Sequence, residues 1–307
     1  MSETALRPAV ARYCLGLGDD ALVLAQRLCE WAAGAPAIEE DIALMNIALD
    51  LIGQARSFLS HAGELEGAGR TEDDLAFGRD ERDFLNVQIV ELANGDFGTT
   101  MARQLLFSAY QYQLYSALSS SADEQITAIA AKAVKEVAYH REHAASWVLR
   151  LGDGTEESHA RMAAGLEVVW PFAGELFEPL EPLEPLEPLD SDDSDGTRHS
   201  LGAGSVVNEL FTTTCAPRQD SDTGRSAGRS DDSGPVGLLD ARIIADPASL
   251  YRPWLGYVQS VLTEATLEVP STTWSPGGGR RGLHTEGFGY LLAEMQHLHR
   301  SYPGVTW

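Results

Sequence analysis

Apolar residues recur along this chain at steps of three and four, the spacing of helices that bury one face. The clearest run is Ile126, Ala130, Ala133, Val137, His140, Ala144, Trp147, Leu151, with steps that alternate four and three. This is the period of a helix packed lengthwise against others in an antiparallel bundle. It predicts a helix over 123–151, capped by Asp123 and closed by "GDG" at 152–154. The stripe Ile38, Ile42, Met45, Leu49, Ile52 and Leu59 predicts another helix after "GAPAIEED", its apolar side turned toward neighbouring helices. Further helices are expected from a cap at Asp19 or Asp20 to about Ala33, over 80–93, over 99–118 after the turn "NGDFG", over 156–177, over 251–266 and over 286–300. The reading is an all-α fold, a helical bundle with extra helices.

One segment breaks the pattern. From Glu178 the chain reads "EPLEPLEPLEPLDSDDSDG" and continues through "RQDSDTGRSAGRSDDSG". Proline at every third position forbids a helix, and the acidic Ser/Asp run has little to bury. Residues 178–235 hold 13 acids against 4 Arg, a net −9 out of −24 for the whole chain. The segment is read as a disordered acidic insertion with a polyproline-II-like start. A solvated spacer is the plainer role for it, a Pro-rich ligand for a partner groove the sharper one, and "NELF" at 208–211 a small ordered island. The chain then divides into 1–177 (first part of the bundle), 178–240 (insertion) and 241–307 (helices completing the bundle).

Composition narrows the partners. A net charge of −24 argues against nucleic acid and anionic membrane surfaces. No apolar run of membrane-spanning length and no signal-peptide core are read from the sequence. Cys14, Cys29 and Cys215 have neither zinc nor redox spacing, so a reducing cytoplasmic setting is expected.

The stretch "KEVAYHREHA" at 135–144 raises metal chemistry. Di-iron bundles take a carboxylate from each of four helices, and two helices carry a Glu-x-x-His pair aimed inward. Here His140 lies on the seam, but the residue three before it is Val137, and Glu136 is followed three later by Tyr139. Between Asp96 and Asp123 there is no acid at all; Gln104, Gln111 and Gln113 are the nearest substitutes. Asp50 followed by Gly53 reads as a carboxylate whose histidine is missing, and Glu30 remains available. Glu30, Asp50, Glu136 and His140 are therefore read as degenerate ligand positions. His140 is taken as a buried histidine hydrogen-bonded to a neighbouring helix, with Asp50 a candidate partner. A mononuclear site at Glu136, His140 and His143 and an intact Glu294-x-x-His297 pair are the remaining metal readings; the plain reading of the latter is a surface pair, flanking the stripe Leu291, Leu292, Met295 and Leu298. Glu91, on the helix expected at 80–93, is held as a substitute ligand. "PGGGRRGLHTE" at 276–286 resembles a phosphate-cradling loop only loosely and reads more plainly as a flexible turn with Thr285 capping the last helix. Arg280 and Arg281, adjacent cations in an acidic chain, are candidate contacts for a partner or for a coenzyme A phosphate.

The blocks "LGDDALVLAQRLCEW", "DIALMNIALDLIGQARSFL", "DLAFGRDERDFLNVQIVE", "NGDFGTTMARQ", "AKAVKEVAYHREHAASWVLRLGDGT" and "GLHTEGFGYLLAEMQHL" resemble, in order, the C-subunit family of the ring-1,2-phenylacetyl-CoA epoxidases, multicomponent monooxygenases of aerobic phenylacetate breakdown. The resemblance covers about 12–177 and 250–307; the long insertion departs from it. It implies a ferritin-like fold without a di-iron centre in this chain. It also implies a related catalytic A subunit that carries the iron, a small bridging B subunit, and a reductase E with FAD and an iron–sulfur cluster fed by NADPH. The chain itself would be a structural, non-catalytic partner with no cofactor of its own. The competing reading is an independent di-iron oxygenase or oxidase built on Glu30, Asp50, Glu136 and His140.

Overall fold

The computed structural model describes residues 3–178 and 235–305, and among these every regular element is helical. The helices are α1 (Glu3–Cys29), α2 (Ile38–Glu66), α3 (Glu72–Phe77), α4 (Phe97–Leu118), α5 (Glu124–Gly152), α6 (Glu156–Val169), α7 (Pro235–Asp240), α8 (Pro247–Glu264) and α9 (Glu286–Ser301). Short 3₁₀ turns cover Glu81–Asp83, Gln88–Glu91, Trp170–Phe177 and Gly279–Arg281. α1 lies along α2, α4 lies along α5, and α2 meets α5; α6 and α8 lie against α4 and α5.

Local chemistry sets most boundaries. Asp96 starts α4 by accepting from the Thr99 amide at 2.9 Å, and Asp123 starts α5 by accepting from Ile126 at 2.9 Å. Thr71 with Asp74 and Thr155 with Ser158 close reciprocal capping boxes on α3 and α6. Three acids in the first turn of α2 complement its dipole, and Gly67 ends it at φ 68°.

Several expected elements are corrected. α1 does not start at Asp19 or Asp20; it begins at Glu3, because the buried series Leu6, Val10, Cys14, Leu17, Ala21, Leu24, Leu28 runs through both aspartates at helical spacing. Residues 80–93 are not a helix. Positions 84–91 are all buried, and a single helix cannot bury its whole circumference as an eight-residue run on the bundle's flank. Residues 84–87 form no helix and Gln88–Glu91 close only a 3₁₀ turn, and buried carboxylates satisfy the segment's amides: Leu85 donates to Asp19, Val87 to Asp20 and Gln88 to Glu175. α6 stops at Val169 because Pro171 follows, and the chain tightens into the 3₁₀ turn. α8 starts earlier than expected, on Asp246 and Pro247.

The stripe on α2 is the largest surprise. Leu59 is buried, but Ile38, Ile42, Leu49 and Ile52 are exposed, while Leu44, Ile47, Ala48, Leu51, Ala55 and Phe58 face the core. The helix is apolar on two sides, and spacing alone does not say which side is inner. On α9, Leu298 is likewise exposed, and Phe288 and Gln296 take the inner positions.

Apart from Glu178 and 235–240, the insertion expected at 178–240 lies outside the described residues, as does the "NELF" island. Residues 235–240 form α7, with Leu238 buried. Beyond it the chain returns to the bundle through Trp254, fully buried, whose Nε1–H donates to the Leu106 carbonyl at 2.9 Å. Trp254 packs on Trp170 and Phe177 with ring centroids 5.8 and 4.9 Å away. α2 is the one helix among the described residues long and apolar enough to cross a membrane by length and composition, contrary to the sequence expectation. Its inner side forms the core against α1.

Candidate functional site

Of the four positions read as degenerate ligands, Asp50 and His140 meet as a pair, while Glu136 and Glu30 are engaged by other side chains. His140 is 1% exposed and sits on the inner side of α5; its Nε2 lies 3.0 Å from Asp50 Oδ2, the partner expected for it. Burial holds the imidazole below its ordinary value despite the hydrogen bond and charge of Asp50. A neutral ring with its proton on Nε2, given to the carboxylate, fits both facts. The Asp50 side chain is 38% exposed, so the pair opens toward solvent rather than into the bundle. Glu136 accepts from Gln54 Nε2 at 3.1 Å and pairs with Lys132 at 3.2 Å. Glu30 accepts from Arg27 at 2.7 Å and from Asn94 at 3.1 Å. One turn on from His140, His143 meets Glu40 at 2.8 Å, and the same carboxylate oxygen takes the Trp147 indole N–H at 2.7 Å. Asp50 and His140 hold each other, and Glu136, Glu30 and the Glu40–His143 pair are held in contacts of their own.

The inner side of α4 completes the picture. Gln104 and Gln111 are buried, and each keeps one side-chain atom without a hydrogen-bond partner. Amides carry no negative charge to offset two iron cations. Among the described residues, no group of three or more His, Cys, Asp and Glu side chains is arranged to hold a metal. The residues present therefore do not fit a di-iron centre. Glu294 and His297 are both exposed on α9.

Polar density gathers instead where the 84–91 segment packs on the flank of the bundle against Asp19 and Asp20 of α1. Asp19, fully buried, holds the Arg79 guanidinium through both oxygens, and Arg79 stacks 4.2 Å from the Phe84 ring centroid. Asp20 holds Arg280 through both oxygens, at 3.1 and 2.6 Å, and Arg280 also donates to the Leu85 carbonyl at 2.8 Å. Burial pulls the Arg280 guanidinium down, but the charge of Asp20 more than reverses this and keeps it cationic. Arg280 is thus engaged by Asp20 with its side chain 24% exposed, and Arg281 beside it is exposed. Glu91, 1% exposed, receives His284 Nδ1 at 2.5 Å, Asn86 Nδ2 at 2.8 Å and the Thr285 amide at 2.7 Å. His284 Nε2 lies 3.0 Å from the Phe84 carbonyl. With an acceptor at each ring nitrogen, the imidazolium satisfies both; burial opposes the charge, yet Glu91 raises the pKa overall.

The glycine loop is fixed by this cluster rather than flexible. A Cβ at Gly279 would lie 2.1 Å from the Asn86 carbonyl oxygen, and one at Gly282, where φ is 75°, would lie 2.3 Å from that of Arg82. The Gly279 amide points at Glu175 Oε1, 2.6 Å away, so the loop binds the protein's own carboxylate where a phosphate cradle would leave its amides open. Thr285 precedes α9 in extended geometry, but it caps through no side-chain bond. Sequence reasoning missed Asp19, Asp20, Glu91, Glu175 and His284 as one cluster. The available signal was the apolar series continuing upstream of Asp19, which places two acids inside a buried helix.

Two antiparallel pairs of long helices, with the facing positions of α2, α4 and α5 where ligands would lie, define the ferritin-like class. The chain matches the family model described as phenylacetic acid catabolic protein over residues 1–188 and 218–307, and it belongs to that family. It is 40% identical over 295 residues to the C subunit of the 1,2-phenylacetyl-CoA epoxidase of Escherichia coli (strain K12), spanning 96% of this chain and 98% of that protein.

Proposed function

We infer that this chain is the C subunit of a phenylacetyl-CoA epoxidase in phenylacetate catabolism, and that its part in ring 1,2-epoxidation is structural. The observation that supports a non-catalytic role is the spent ligand set: Asp50 is bonded to His140, Glu136 to Gln54 and Lys132, Glu30 to Arg27 and Asn94. In this reading the oxygen chemistry belongs to a di-iron centre in a related A subunit. A B subunit and a reductase E with FAD and an iron–sulfur cluster supply bridging and electrons from NADPH. What this chain contributes is a rigid helical surface. The free thiols Cys14 and Cys29 accord with a cytoplasmic setting.

Elemental analysis of the chain purified after iron-replete expression tests the division of labour. The expected result is iron well below one per chain, with no di-iron optical signature. Iron near two per chain would return the chemistry to this subunit.

A further inference from the structure

Arg141 on α5 is a cation set apart from the chain's own acids. Arg27, Arg56, Arg70, Arg79, Arg280 and Arg300 each hold a carboxylate of the chain. Arg141 meets no carboxylate and makes no hydrogen bond among the described residues; aromatic faces hold it instead. Its guanidinium carbon lies over the Tyr112 ring of α4, 3.7 Å from the centroid, and over the Tyr257 ring of α8, 4.4 Å from the centroid. The pull of a ring face on a cation fixes the guanidinium in place. It leaves the N–H edge, the part that recognises oxyanions, unused. Nε is buried without a partner, and the terminal nitrogens, equally without partners, reach solvent. A buried N–H that has lost its water regains that cost only from an acceptor.

The surroundings select the acceptor. With one ring over it from α4 and another from α8, the guanidinium is open along its edge, in its own plane. A carboxylate is flat and meets that edge through two coplanar oxygens. A phosphate carries further oxygens out of the plane, toward the ring rims. The chain's net charge of −24 also repels a dianion more than a monoanion. Glu142, exposed and next along α5, makes no ion pair with Arg141. Burial, opposed by Arg141 and helped by Glu142, raises the Tyr257 pKa, so its hydroxyl stays a donor at neutral pH. Beside Tyr257 the surface is open: a Cβ at Gly256 would meet nothing within 4 Å. We propose that Arg141, clasped by Tyr112 and Tyr257, is a binding site for the carboxylate of a small organic acid. The site lies where α4, α5 and α8 meet, apart from the α2–α5 contacts of His140 and His143, and it does not depend on the subunit reading above.

The test labels the arginines of the full chain with phenylglyoxal and follows Arg141 by peptide mass spectrometry. Benzoate is the probe, benzamide its neutral counterpart, and phosphate and chloride are added at matched ionic strength. Arg252, exposed on α8, serves as the control. The expected result is that benzoate slows labelling of Arg141 several-fold and leaves Arg252 unchanged, while benzamide, phosphate and chloride protect little. Benzoate should also raise the melting midpoint of the unaltered chain and not that of Arg141→Gln or Arg141→Lys, which lack the planar edge. If those variants fail to fold, labelling of the unaltered chain decides. Equal labelling with and without benzoate overturns the proposal, as does a ligand-free chain in which Arg141 resists the reagent. Equal protection by benzamide would assign the contact to the rings rather than the carboxylate, and equal protection by phosphate would replace a carboxylate site with a general anion site; either result overturns the proposal.

Discussion

Asp19→Ala is expected to destabilise the chain by about 3–5 kcal/mol, because it leaves the Arg79 guanidinium buried without its counter-charge. That is a large share of the roughly 5–15 kcal/mol by which domains are stable. Both side chains are almost wholly removed from solvent, 0% exposed for Asp19 and 5% for Arg79. Asp19 also takes the Leu85 amide at 2.9 Å, so its loss frees a buried backbone donor as well. Urea unfolding checks this through a lower midpoint. Asp19→Asn should cost less, since it keeps an oxygen for the Leu85 amide. The double change Asp19→Leu with Arg79→Met should recover much of the loss, because a buried pair replaced by apolar side chains leaves no unpaired charge. If the alanine variant melts with the unaltered chain, the 84–91 segment is not anchored by this pair.

Stability is also expected to fall as pH rises from about 5 to 8, and Glu175→Gln should flatten that slope. Glu175 is 3% exposed and accepts the Gln88 and Gly279 amides, each at 2.6 Å, with no cation bonded to it. Burial pushes its carboxyl up to about 7, against the pull of the two amides and of Arg280. The folded value is raised above the unfolded one, so the native state holds the proton more tightly. The resulting stabilisation is present in full below the ordinary carboxylate value and is lost as pH rises through about 7. A shift of this size corresponds to about 3 kcal/mol. The raised imidazolium of His284 adds in the same direction above its ordinary value. His140, held low by burial, opposes it by losing stability as pH falls below the ordinary imidazole range. Denaturant midpoints measured at each pH for the chain and for Glu175→Gln check the sign. Parallel curves would show that Glu175 keeps its charge while folded.

The period of α5 was legible in the sequence because each seam position from Ile126 to Ala144 buries a small or apolar side chain, and His140 stood out among them as polar. From there the partner Asp50 could be named. α2 was harder, since it is apolar on both sides, and its 3.5-residue row matched the outer one. Residues 84–91 were read as helix although Leu85, Asn86, Val87, Gln88 and Ile89 alternate apolar and polar, a spacing that does not favour one. Their path depends on Asp19, Asp20 and Glu175, acids far away in sequence whose role spacing cannot express. The glycine loop was misread for a related reason: its glycines answer to carbonyls of Arg82 and Asn86 nearly two hundred positions away.

The claim that this chain works through its surface in an epoxidase, and not through a metal of its own, is tested most directly by turnover of phenylacetyl-CoA. The A, B and E subunits are assayed with NADPH in the presence and absence of this chain, and this chain is assayed with B and E alone. The expected result is epoxide only when A and this chain are both present. Undiminished turnover by A, B and E without it, or epoxide formed by this chain without A, would contradict the account.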